Sequence, residues 1–341
     1  MVTLSQVQSS NSLISSTLPP HLVAVFVGAT SGIGEATLKE FAKRSRRPRA
    51  YFVGRSQDAG DRIVAECKAL NAEGEYIFVK ADVSLIRVVD EVCEEIKAKE
   101  KTINILFLSA GLPSMDRRET SEHLHLLTAL VFYSRTRFIT NLLPLLRRAP
   151  ALRRVITVGR GGGEGKLYPS DFPAFHVPLS ALRGHICTLL TLGLESVAKT
   201  APEVSFVHDY PGSVKTPLLD RVEGIIGVLM RAFVFLVGHW ICVPIEESGE
   251  RHLYLATSAR YPSAIVGSDG ASGVPLGDGI DVARGVTGDI GSGLYSVGWD
   301  GTSASLTVQK LLAGYRDEGM VEKIRRHTES EFDRITQQDQ N

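Results

Sequence analysis

Six apolar, largely β-branched or aromatic runs, LVAVFV, AYFV, YIFV, INILFL, RVITV and VSFVH, follow one another from Leu22 to His208, each separated from the next by a longer amphipathic stretch. Runs that are apolar without alternation suit strands buried on both faces, and strands alternating with helical segments build a parallel sheet. The pattern therefore predicts an α/β chain: a doubly wound parallel sheet with helices on both faces. At 341 residues the chain is long for one domain, but α/β units reach this size, so a single domain is expected.

The flanks read differently. Residues 1–20 are Ser-rich, lack the basic and apolar regions of a signal peptide, and read as a disordered leader before a main domain at 21–300. After Thr216 the greasy run GIIGVLMRAFVFLVGHWICVPI places an apolar lid at about 217–245. Arg231 and His239 interrupt that run, which argues for a cover over an apolar substrate rather than a span; contact with a membrane surface is the other reading. A Gly-rich loop from Gly267 to Gly293 precedes a last strand in GLYSVGW, and residues 301–341 read as a helical extension. Lys+Arg and Asp+Glu are equal at 38 each, so no basic surplus points to nucleic acid. Cys67, Cys93, Cys187 and Cys242 lack ligand or disulfide spacing, which predicts no metal, a reducing compartment and a cytoplasmic protein.

The first strand runs directly into GATSGIGEATLKEF, so Gly28, Thr30, Ser31, Gly32, Ile33 and Gly34 form a strand-to-helix turn able to cradle a pyrophosphate. Further short motifs follow in order: ADVS with Asp82 and Val83, SAG with Ser109, Ala110 and Gly111, and YPGSVKTP with Pro211, Gly212, Val214 and Thr216. Together they resemble the short-chain dehydrogenase/reductase family, from Val25 to about Thr216. The resemblance implies a Rossmann-like sheet and a nicotinamide dinucleotide, with Asp82 and Val83 at the adenine and the PGxVxT residues at the carboxamide. Val27 replaces the family's Thr, and Ser109 its Asn. Arg55, after the second strand, supplies positive charge where an acid would accept a ribose 2′-hydroxyl, which favours NADP(H); a solvated surface Arg is the alternative.

The resemblance fails at the chemistry. It implies a Ser, a Tyr, a Lys four residues on, and an Asn; those positions fall on Arg160, Val177, Ala181 and about Val131. The one Tyr-x-x-x-Lys, Tyr76 to Lys80, lies on the third strand. A reductase lacking its acid forgoes about 10² to 10⁴-fold unless another donor serves. Candidate polarising or proton-transfer groups are Arg160, Tyr210, His176, His185, Tyr168 and Tyr133. Later phrases such as EESGERHLYLATSARYP are similar to a subgroup encoded in fungal natural-product pathways that often departs from the catalytic motif.

Three functions remain open. The leading one is an NADP(H)-binding enzyme of specialised metabolism that folds an apolar polyketide, terpenoid or alkaloid intermediate for cyclisation, isomerisation or a pericyclic step, the cofactor being structural or vestigial. The others are an NADPH-dependent ketoreductase with a substitute donor, and a non-enzymatic dinucleotide sensor or scaffold. The resemblance also implies a homodimer or homotetramer formed through the helices flanking the site.

Overall fold

The computed structural model describes residues 1–112, 117–216, 242–265 and 273–337. Seven parallel strands, β1 (Val23–Val27), β2 (Arg49–Gly54), β3 (Glu75–Lys80), β4 (Ile105–Leu108), β5 (Arg154–Val158), β6 (Ser205–Asp209) and β7 (Leu294–Val297), form one sheet in the order β3-β2-β1-β4-β5-β6-β7. The expected runs are those strands. Alternate residues face opposite layers: Val25, Val53, Leu106, Val155 and Phe206 join one core, while Phe26, Phe52, Phe107, Ile156 and Val207 join the other.

The second layer is built by α3 (Gly32–Arg44), α4 (Gln57–Leu70) and α9 (Ile245–Thr257). The first is built by α5 (Ile86–Lys99), α7 (Ser134–Arg148) and α8 (Leu179–Ala198), with α10 (Leu306–Asp317) and α11 (Met320–Gln337) laid outside. A short helix, α6 (Leu126–Thr128), enters α7 through a π-helical turn, Ala129–Tyr133. Among the described residues no helix is long and apolar enough to cross a membrane. The predicted lid falls almost wholly on 217–241, outside the described residues, as does part of the Gly-rich loop.

The N-terminal expectation is corrected. Residues 4–17 form α1 (Leu4–Ser12) and α2 (Ile14–Thr17), α1 opening with a Thr3/Gln6 capping box. Polar composition suggests disorder, but Val2, Val7, Ile14 and Leu18 enter the core around α3 and α9. Asn11 Nδ2 donates to the Glu250 carbonyl at 2.9 Å and to its carboxylate at 2.6 Å. A tertiary seat, not local propensity, orders this segment.

Candidate active site

The turns after β1, β4 and β6 meet. Gly28 has φ +88°, and a β-carbon there would stand 2.4 Å from the Ala110 backbone nitrogen; on Gly34 one would meet Ser109 Oγ at 2.6 Å. Gly32 has φ +62°, and its missing β-carbon would touch Thr216 Cγ2 at 3.2 Å. Thr30 packs on Gly54 at the end of β2. Ser31 caps α3 without a side-chain bond, leaving the first-turn N–H groups directed into the crevice. Val83 is buried, whereas Asp82 is exposed and accepts from the Ser84 N–H and hydroxyl through one oxygen. Arg55 is exposed beyond β2. Gly212, at φ +77°, lies under Trp299, and Val214 bridges Val243. The glycine turn, with no β-carbon at its closest approaches, and the open helix end fit a dinucleotide pyrophosphate.

At the other lip, the positions aligned with the family's Asn, Tyr and Lys are apolar and adjacent. Val177 and Leu182 are buried with Ala174 and Ile186, and Val131, Ala181 and Leu127 pack on them. Tyr168, from the inserted loop after β5, packs on the same cluster, with Lys166 Nζ 5.1 Å from its ring centre. Arg160 is exposed at the end of β5. Tyr210 is 39 % exposed, its N–H fixed to the Val297 carbonyl. His176 is exposed in a groove of 680 Å³ with Arg117, Glu119, His123 and Phe175, while Asp171 accepts its backbone N–H. Tyr76, of the Tyr-x-x-x-Lys coincidence, is on the edge strand β3.

Two proposed donors are placed elsewhere. Tyr133 is buried against Phe132 and Phe332, and its hydroxyl is 2.7 Å from His327 Nε2 on α11. Burial raises its pKa well above the usual value, so it is a packing residue of the outer layer. His185 is also buried: Nδ1 accepts from the Tyr168 N–H and Nε2 donates to the Phe172 carbonyl, both at 3.2 Å. Burial depresses its pKa, and the ring ties the loop to α8.

Sequence reasoning missed the polar scaffold beneath this lip. The Arg160 N–H donates to His208 Nε2 at 3.2 Å, so Nδ1 carries the proton and donates to Thr191 Oγ at 2.9 Å. Thr191 and Ser296 donate to Glu164 Oε1 at 2.9 and 2.6 Å. Burial lowers the His208 pKa to about 3 and raises that of Glu164. Glu164, Cys187 and His208 offer ligand atoms within 4.8 Å of one another, yet the thiol donates to the Arg160 carbonyl and the imidazole serves its N–H. On the other face of β6, Asp209 Oδ2 is 2.9 Å from His252 Nε2. Arg135 of α7 is buried, its guanidinium donating to the Val158 and Ala110 carbonyls at the ends of β5 and β4; its place on the apolar stripe with Phe132, Phe138, Ile139 and Leu142 was the available signal.

The profile of the short chain dehydrogenase family matches residues 22–148. The short-chain dehydrogenase/reductase SAT2 of Stachybotrys chartarum is 30 % identical over 81 % of this chain and 82 % of its own. The chain belongs to the short-chain dehydrogenase/reductase family. The oxidoreductase andH of Emericella variicolor is 38 % identical over 98 % of both chains. Among solved structures, an alcohol dehydrogenase from the archaeon Thermococcus sibiricus, complexed with 5-hydroxy-NADP, matches 69 % of this chain and 90 % of its own at a TM-score of 0.54 and 19 % identity, a likeness of fold. The two relatives are named as an oxidoreductase and a short-chain dehydrogenase/reductase, and this chain shares the fold of the solved alcohol dehydrogenase.

Proposed function

We propose that this short-chain dehydrogenase/reductase is an NADP(H)-binding enzyme that acts on an apolar small molecule without net redox change. The observation that carries the reading is the contrast between the two lips. The glycine turn, Ser109–Gly111 and Gly212–Thr216 come together as a cofactor cradle, whereas Val131, Val177 and Ala181 form an apolar patch where the family's proton-transfer groups would stand. When bound, the nicotinamide supplies a hydride or, left unreacted, a flat polar surface. Gly28, Gly32 and Gly34 would hold the pyrophosphate, Arg55 the 2′-phosphate, and Asp82 the adenine. An exposed Arg160 guanidinium holds fixed positive charge for a developing oxyanion or enolate, the exposed Tyr210 offers a hydroxyl, and the exposed His176 offers an imidazole for proton transfer. Cyclisation or isomerisation of a polyketide, terpenoid or alkaloid intermediate suits such a site. Four free cysteines support a cytoplasmic setting.

The test is product mass spectrometry with pathway extracts, with and without NADPH, while absorbance at 340 nm is followed. A product of unchanged mass without NADPH loss is expected. A gain of two hydrogens with matching NADPH consumption would instead select reduction. That second reading rests on Tyr168, packed against the apolar patch with Lys166 beside its ring. Its mark would be loss of reduction in Tyr168→Phe.

A further inference from the structure

Arg135 is 3 % exposed, and carbonyl oxygens hold its guanidinium: Nη1 donates to Val158 at 2.7 Å and Nη2 to Ala110 at 2.9 Å, while Nε is buried without a partner. No carboxylate is bonded to it among the described residues. Burying a cation this way is expensive, and two carbonyl dipoles repay it in part. Asp209 is a carboxylate that acts on Arg135 through space, but it is committed to His252, whose two nitrogens face the Ser248 carbonyl and Asp209 Oδ2 and so both carry protons. His208 accepts at Nε2 and is neutral. The other buried carboxylate of this region, Glu164, is linked to Arg135 only through Thr191 and His208, and burial raises its pKa, which weakens its hold on the guanidinium under the ends of β4 and β5.

Those ends carry the crevice. Ala110 is the residue on which Gly28 closes, and a β-carbon on Gly159, next to Arg160, would lie 3.8 Å from Arg135 Nη1. We propose that Arg135 sets the oxidation-state preference of the cleft, holding NADPH in preference to NADP⁺, because the oxidised nicotinamide ring is a cation and the reduced ring is neutral. The inference rests on the dinucleotide reading above. It also gives that reading a physical sense: a cleft that favours the reduced form restrains hydride release.

The experiment is titration of the full chain with NADPH and with NADP⁺, for wild type, Arg135→Met and Arg135→Lys, at 0.1 M and 1 M NaCl. NADPH should bind on the order of tenfold tighter than NADP⁺ in the wild type, from one charge acting through a protein interior. The ratio should persist in 1 M salt, since buried charge is screened far less than surface charge. Arg135→Met should bring the ratio near one, and Arg135→Lys should retain most of it. A wild-type ratio near one, a preference that vanishes in high salt, or a Met variant with the wild-type ratio would each overturn the proposal. Should the Met variant not fold, the wild-type salt series and the Lys variant still decide. Absence of binding by either dinucleotide would overturn the dinucleotide reading itself, and the proposal with it.

Discussion

Gly165 and Gly184 touch: a β-carbon built on either would stand 3.1 Å from the Cα of the other. This contact lets the loop after β5 lie on α8, where the Gly165 N–H reaches the Gly184 carbonyl and Thr188 Oγ. Gly184→Ala should be nearly neutral, the helix propensity gained offsetting the crowding. Gly184→Val should cost roughly 1–3 kcal/mol by overpacking and lift the loop that carries Tyr168. Thermal unfolding and limited proteolysis of the loop check both.

Arg55 should decide between the two nicotinamide dinucleotides. Arg55→Asp removes the partner of a 2′-phosphate and adds a group that accepts from a ribose hydroxyl, so the ratio of NADPH to NADH affinity should fall by about tenfold or more. Direct titration with both reads the ratio; an unchanged ratio would assign Arg55 to solvent.

Two tyrosines should respond oppositely to loss of the hydroxyl. Tyr133→Phe removes the bond to His327 and should cost about 1 kcal/mol of stability with turnover intact. Tyr168→Phe should leave stability almost unchanged, and any fall in turnover would locate chemistry on the inserted loop. Denaturant midpoints and product formation, measured on both, separate the cases.

His208 should make the fold acid-sensitive. Its folded pKa is depressed to about 3, against roughly 6.5 for an unfolded histidine. The unfolded chain therefore binds the extra proton between those values. The contribution is fully present above the unfolded pKa and declines as pH falls toward the folded one, by roughly 1 kcal/mol per pH unit. His252, whose pKa burial lowers but Asp209 raises further, acts with opposite sign and loses its contribution as pH rises. Urea midpoints from pH 7 to pH 4 should fall more steeply for wild type than for His208→Asn.

The outer helix should keep the chain monomeric. Phe332 and Ile335 of α11 are buried against the layer formed by α5, α7 and α8, and Arg137 lies over the Phe332 ring at 4.9 Å. The helices through which the family resemblance implies pairing are thus covered from within the chain. Sedimentation should give a monomer for wild type, whereas Phe332→Asp should loosen α11 and produce self-association. A wild-type dimer would show that pairing uses another face.

The sheet was legible because most strands are built on a short apolar run, and Val25 beside Phe26 shows why: neighbours enter different cores, so both faces of the strand favour apolar side chains. The glycine turn was legible because Gly28 answers a contact that no other side chain permits. The scaffold under Arg160 was not, since Glu164, Thr191, His208 and Ser296 come from four distant parts of the chain and none is marked by its neighbours. Tyr133 and His185 misled for a related reason: a polar ring on a helix looks the same in sequence whether it faces a crevice or a packed layer. The N-terminal helix was hidden by its serines, its ordering residues being spaced too widely to form a local pattern.

The bond from Asn11 to Glu250 joins residues 239 positions apart. As the ribosome extends the chain, the first helix emerges before most of the sheet exists and must wait for α9 to be made before it can be seated. Until then Val7 and Ile14 have no core to enter. Docking of the N-terminal segment is therefore a late event in biosynthesis, and the interval before it is when the nascent protein is most open to capture by chaperones.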